Sequence, residues 1–170
     1  TMAAVIGMDD NQVENICAQA ASDSGEVVVP ANYNCPGQLV VSGSEDGVDK
    51  ALELLKEAGC RLAKKLPVSG AFHSPLMKPA FEGLRSNLVN LDIQKPICPI
   101  YSNYTGQPTT DPEEIRENLL NQLLNPVRWT QTLQNMHKDG ADSYTEVGPG
   151  KVLQGLVKRT LKDVTTQGVQ

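Results

Sequence analysis

Histidine is the side chain best suited to general acid–base work near neutral pH, and this chain has two in 170 residues, His73 and His137. His73 lies in VSGAFHSPLM (68–77), between Gly70, which frees the backbone, and Ser74-Pro75, which fixes the turn that follows. Catalytic groups are commonly mounted on such loops, although a loop histidine without further context is more often a surface or structural residue. If His73 is a base, the question is whose proton it takes. Ser74 is adjacent, but it stands where a helix N-cap belongs, and side chains of neighbouring residues rarely converge as a nucleophile and its base must. No G-x-S-x-G elbow occurs anywhere in the chain, and no cysteine sits in a comparable strand-turn-helix setting. His137 falls in the last turn of a predicted helix beside Lys138, where a cation suits the helix dipole, and reads as a solvated surface residue. GPGK (148–151) lacks the spacing of a phosphate loop and reads as a tight turn into a helix.

Composition narrows the class. Hydrophobic residues at 39% and charged residues at 21% describe a folded globular chain, long enough for one ordinary domain or two small ones. A net charge of −5 argues against general nucleic-acid or membrane-surface binding, and no apolar run is long enough to span a bilayer. The opening TMAAVIGMDD lacks a basic leader region, so a cytoplasmic location is expected. Cys17, Cys35, Cys60 and Cys98 are dispersed without metal-ligand spacing and read as reduced thiols, and no metal site is expected.

The elements that must hold His73 come in two groups. In residues 1–65, MAAVIG is a short strand and DDNQVENICAQAASDSG a helix capped by Asp9 or Asp10, with Val13, Ile16, Cys17 and Ala20 on one face. EVVVPANYN is a strand that Pro30 pushes towards a sheet edge, CPGQ a type II turn, and LVVSG a strand. Ser44 then caps a helix with a stripe of Val48, Ala51, Leu52, Leu55 and Ala58, and CRLAKKLPV is a final strand. The order β-α-β-β-α-β predicts a ferredoxin-like unit.

Residues 66–170 alternate strand and helix, which predicts an α/β layer with parallel pairing. Ser74 and Pro75 begin a helix that Pro79 should bend, PICPIYSN reads as a buried strand, and Asp111-Pro112 opens another helix. Asn125-Pro126 starts a third helix, SYTEV is a strand, and KVLQGLVKRT is the last helix. Two strands and four helices are few for a closed layer.

Five stretches in this order, ANYNCPGQLVVSG, SGAFHSPLMKPA, YSNYTGQP, NQLLNPVRWTQTL and TEVGPGKVLQGLVKR, carry a resemblance along nearly the full length. The chain resembles the later half of the bacterial malonyl-CoA:acyl carrier protein transacylase family. That resemblance implies an α/β-hydrolase-like large subdomain, of which 66–170 is the returning part, with a ferredoxin-like small subdomain (1–65) inserted in it. It implies an acyltransferase that moves malonyl from coenzyme A to the phosphopantetheine thiol of acyl carrier protein in fatty acid biosynthesis, with both thioesters as substrates and no bound cofactor.

By the same resemblance His73 matches the catalytic histidine, oriented by a backbone carbonyl in NQLLNPV, at Gln122. Asn32, Asn34 and Gln38 match cleft-facing positions that contact the pantetheine arm, with turn residues bonding their own backbone as the competing reading. Phe72, in GAFH, matches the position that selects malonyl over methylmalonyl. The oxyanion loop, the serine elbow and the arginine that pairs with the malonyl carboxylate all belong ahead of residue 1. The chain is therefore expected to be a fragment that needs that N-terminal segment as a partner and is inactive alone. An acyltransferase domain of a polyketide synthase and a non-catalytic module binding acyl carrier protein stand as alternatives.

Overall fold

The computed structural model describes all 170 residues. Strand β1 (Met2–Ile6) leads through Gly7, at φ 87°, to α1 (Asp10–Ser24). Asp9 caps α1 in a reciprocal box with Gln12, and Gly25, at φ 71°, ends it in the left-handed region where glycine has no Cβ to clash. Strands β2 (Val28–Cys35) and β3 (Gln38–Gly43) form a hairpin across Pro36-Gly37, with Gly37 at φ 73°, which a type II turn requires at its third position. Ser44 caps α2 (Glu45–Glu57) by accepting from Gly47 N–H, and β4 (Leu62–Lys65) completes the series.

The four strands form one antiparallel sheet in the order β2-β3-β1-β4, the arrangement of a split β-α-β unit. Alternation along the strands turns Ala3, Val5, Leu39 and Val41 to one face, where they pack with Val13, Cys17 and Ala20 of α1 and with Val48, Ala51 and Leu55 of α2. Each such leucine or valine contributes about 1.5–3 kcal/mol by leaving water. Ala58 drops out of the predicted stripe: it caps the exposed end of α2. Met2, Ala31 and Val40 form a smaller cluster with Leu66.

Pro30 does lie on an edge strand, and the chain covers that edge. Val127 lies parallel to β2 opposite Asn32, accepting from Tyr33 N–H and donating to the Ala31 carbonyl, both at 2.8 Å. Thr130 Oγ1 adds a bond to the Tyr33 carbonyl at 3.1 Å.

The second half departs from expectation in several places. Instead of one bent helix, a 3-10 turn (Pro75–Met77) is followed by a separate α3 (Lys78–Leu88), because Pro79 is tolerated in the first turn of a helix but not inside one. The stretch read as a buried strand pairs only at β5 (Ile100–Tyr101), against β6 (Pro108–Thr109), and Ile97 and Ile100 are exposed; Pro99 has no N–H to give a longer ladder. The third predicted helix begins after Asn125-Pro126, at Trp129, because Val127 is drawn onto β2.

Helices α4 (Pro112–Gln122) and α5 (Trp129–Lys138) are followed by β7 (Ser143–Val147), α6 (Val152–Thr160) and β8 (Thr165–Val169). β7 and β8 pair in parallel through α6, so the predicted topology is present, with β8 an additional strand. Leu133, Val157 and Leu161 form the core here, and it is thin: Val89, Ile97, Val147 and Val152 are all more than half exposed. No helix is long and apolar enough to cross a membrane.

Candidate active site

His73 stands on the turn between β4 and α3 with φ 59°, a left-handed conformation that side chains rarely adopt. Ser74 holds it there. Its buried Oγ donates to the Ala71 carbonyl at 2.6 Å and accepts from Leu76 N–H at 3.3 Å, spanning His73 from both sides. That hydroxyl is committed to the backbone, as a cap should be.

The ring of His73 is half-buried, and its Nδ1 lies 2.9 Å from the carbonyl oxygen of Gln122, the last residue of α4. A carbonyl can only accept, so Nδ1 carries the proton and the neutral ring keeps its lone pair on Nε2. The last carbonyls of a helix lack intrahelical donors and form the negative end of its dipole, which stabilises positive charge as it develops on the imidazole. The Gln122 amide nitrogen is 3.5 Å from the same Nδ1, but its better bond is to the Asn125 carbonyl at 2.9 Å.

Asp111 caps α4 at its other end, accepting from Glu113 N–H at 3.0 Å, and Pro112 and two glutamates fill its first turn. Arg116, in the middle of α4, donates to the carbonyls of Leu88, the last residue of α3, and of Leu91 just beyond it. It ties the helix that follows His73 to the helix that carries Gln122. Sequence reasoning missed this residue, whose only mark is its place as the one basic side chain of an otherwise acidic helix. Beside Gln122 opens a cavity of about 200 Å³, lined by Ile100, Tyr101, Ile115, Asn118 and Leu119. The buried Asn118 amide nitrogen has no partner there.

The other expected site residues are not drawn into this pair. Phe72 is 43% exposed, its ring lying so close over Gly70 that a Cβ there would sit 2.9 Å from Cζ. Asn32 and Asn34 lie half-buried on β2, and neither amide bonds its own backbone. Asn32 sits opposite Val127, five residues beyond Gln122. Gln38 Oε1 accepts from Arg159 Nη1 at 2.7 Å, so its oxygen is already engaged. His137 is exposed, with Nδ1 3.0 Å from the Ala141 carbonyl in its own helix end.

The N-terminus of α6, after the glycine turn at 148–150, holds an anion already. Glu146 accepts from Leu153 N–H at 3.1 Å and Gln154 N–H at 3.2 Å. All four cysteines are free, and burial, with Glu14 nearby, pushes the Cys17 thiol up to about 12, away from nucleophilic use. No three potential metal ligands come together.

A model of the family described as acyl transferase domain matches residues 1–169. The malonyl CoA-acyl carrier protein transacylase of Haemophilus influenzae is 45% identical over 163 residues, covering 96% of this chain and 52% of the relative. That of Bacillus subtilis is 42% identical over 168 residues, 99% of this chain and 53% of the relative. A solved acyl carrier protein S-malonyltransferase from Vibrio cholerae superposes with a TM-score of 0.95 at 43% identity, over 99% of this chain and 55% of that one. A malonyl-transacylase solved in complex with a type II polyketide synthase acyl-carrier protein superposes at 0.92 with 36% identity, over 99% and 54%. The chain spans about half the length of the curated relatives it matches.

Proposed function

The chain belongs to the acyl transferase domain family, and from that premise we propose that it supplies the base of a malonyl-CoA:acyl carrier protein transacylase whose nucleophilic serine lies outside these 170 residues. The observation that carries this reading is the bond between His73 Nδ1 and the Gln122 carbonyl, which leaves Nε2 as the acceptor a serine hydroxyl needs.

In this reading Nε2 takes the hydroxyl proton while the serine oxygen attacks the malonyl thioester carbonyl. The carbon–sulfur bond of coenzyme A breaks, and the imidazolium returns the proton to the departing thiolate. The phosphopantetheine thiol of the carrier protein then gives its proton to Nε2 and attacks the seryl ester, and the serine oxygen leaves with that proton. Coenzyme A and phosphopantetheine are therefore substrates rather than resident cofactors. A positioned base of this kind contributes ~10²–10⁴-fold.

Residues 1–65 are the small subdomain and 66–170 the returning part of the large one. Asn32 and Asn34, with amides free to bond, are the better candidates for the pantetheine arm, since Arg159 occupies Gln38. The relative solved with its carrier protein supports that partner. A cytoplasmic location is consistent with the free cysteines.

The test joins this chain to the first half of the Haemophilus influenzae relative and measures malonyl transfer from coenzyme A to carrier protein. Transfer by the joined protein, lost in His73→Ala and absent from the 170-residue chain alone, is expected. Formation of a malonyl ester by the chain alone would overturn the assignment of the nucleophile.

A further inference from the structure

Within an α-helix the carbonyl of residue i is claimed by the N–H of residue i+4. For Gln122 that residue is Pro126, which has no N–H. The helix closes just short of it: Leu123 N–H reaches the Leu120 carbonyl at 3.3 Å and Leu124 N–H the Asn121 carbonyl at 3.2 Å. Asn125 N–H does not continue this series, although its side chain adds a second bond to the Asn121 carbonyl at 2.8 Å. Beyond Pro126, both main-chain groups of Val127 are committed to β2. The Gln122 carbonyl is thus passed over by every backbone donor around it, and the imidazole N–H of His73 takes it.

We propose that Pro126 is a positioning residue for His73: by withholding an N–H at the fourth residue after Gln122, it reserves that carbonyl for Nδ1 and so fixes which ring nitrogen carries the proton. The bonds from Val127 to β2 hold the segment after the proline out of the helix, so the end of α4 stays open at this one acceptor. The consequence for catalysis rests on the function proposed above; the tautomer of the ring does not.

The experiment reads the tautomer directly. In the 170-residue chain labelled with 15N-histidine, two-bond proton–nitrogen correlations report which nitrogen of each neutral ring is protonated, and His137→Gln assigns the two rings. His137, bonded to Ala141 in its own helix end, is the internal reference. Wild type is expected to show His73 protonated at Nδ1. Pro126→Ala restores a donor that competes for the carbonyl, and should shift the ratio about 2- to 10-fold towards the Nε2–H form, the worth of one hydrogen bond. Lactic acid placed at position 126 gives an ester with no N–H, and should keep the wild-type ratio. The proposal is overturned if Pro126→Ala leaves the ratio unchanged, or if the ester shifts it as far as alanine does. If Pro126→Ala does not fold, Pro126→Gly supplies the N–H in its place: a shift towards Nε2–H that the ester lacks supports the proposal, and an unchanged ratio ends it. Because no substrate is involved, this result stands apart from any failure of malonyl transfer in the joined protein.

Discussion

His73 Nδ1 and the carbonyl oxygen of Gln122 are 2.9 Å apart across 49 residues of sequence. The histidine comes from a strained turn and the oxygen from a helix end, and Arg116 ties α3 to α4 so that the two meet. An acceptor made of backbone cannot be removed by changing the side chain at position 122. Gln122→Ala should therefore leave the Nδ1 bond in place, and the vulnerable parts are the turn and the helix end.

At position 73 the side chain and the backbone can be separated. In the joined protein both His73→Ala and His73→Gly should lower the acylation rate by ~10²–10⁴. The glycine variant should be more stable than the alanine variant by about 1 kcal/mol in urea unfolding, because φ 59° strains any residue with a Cβ. A fall of less than threefold in rate would remove His73 as the base.

Ser74→Ala should cost about 1–3 kcal/mol in urea, since it strips a buried bond from the Ala71 carbonyl and another from Leu76 N–H. Malonyl-ester formation by the joined, folded variant should persist. Loss of the ester with the fold intact would make Ser74 the nucleophile after all.

Much of this was legible in the residues. Caps at Asp9, Ser44, Ser74 and Asp111 act through side-chain oxygens on nearby N–H groups, so sequence places them. The element order of residues 1–65 follows from apolar periodicity and turn glycines, and that order implies the split β-α-β sheet that forms. Where expectation failed, distant partners decided: Val127 pairs with β2 and delays α5, and β8, with little apolar alternation, is a strand because β7 lies beside it. Only a resemblance linked Gln122 to His73. Pro126, four residues past the end of α4, reads in the sequence as the start of the next helix rather than as a gap in the donors of this one.

Phe72 is the specificity prediction. If its ring crowds a C2 methyl group, Phe72→Ser should narrow the malonyl over methylmalonyl ratio of the joined protein, by no more than about 10- to 200-fold. Gly70→Ala should move the ratio the same way with residue 72 unchanged, because the new Cβ would meet the Phe72 ring at 2.9 Å and turn it. Competition assays with the two thioesters check both, and unchanged ratios would place selectivity elsewhere.

Glu146 sets a pH dependence. Desolvation works to raise its pKa, but the N–H groups of Leu153 and Gln154, the Gln154 amide and Val152 N–H together hold it below the usual carboxylate range. A carboxyl depressed in the folded state stabilises the fold above its unfolded pKa, and that contribution is lost as pH falls through the folded value. Acid unfolding should thus weaken the α6 end below about pH 4, the ordinary carboxylate pKa. Glu146→Gln should lower stability at neutral pH and flatten this acid limb; an identical pH profile would show that the cap contributes nothing.

If the carrier protein is acidic, a chain of net charge −5 must meet it through a local basic patch. Sequence alone offers Lys64, Lys65, Lys78, Lys151, Lys158 and Arg159 on equal terms. The structure separates them, because the Lys65 ammonium lies 2.7 Å from Glu45 and 2.8 Å from Asp49, and Arg159 donates to Gln38. Lys64, Lys78, Lys151 and Lys158 are exposed and make no ion pair. In the joined protein, Lys78→Glu with Lys151→Glu should raise the KM for carrier protein several-fold while sparing that for malonyl-CoA, and added salt should shrink the difference as screening reaches ~10 Å at 0.1 M. Lys65→Glu should leave the carrier KM near wild type, since its charge is already answered within the chain. Equal rises in both KM values for the double variant would point to damage at the site, and a large carrier effect from Lys65→Glu would move the docking surface to β4.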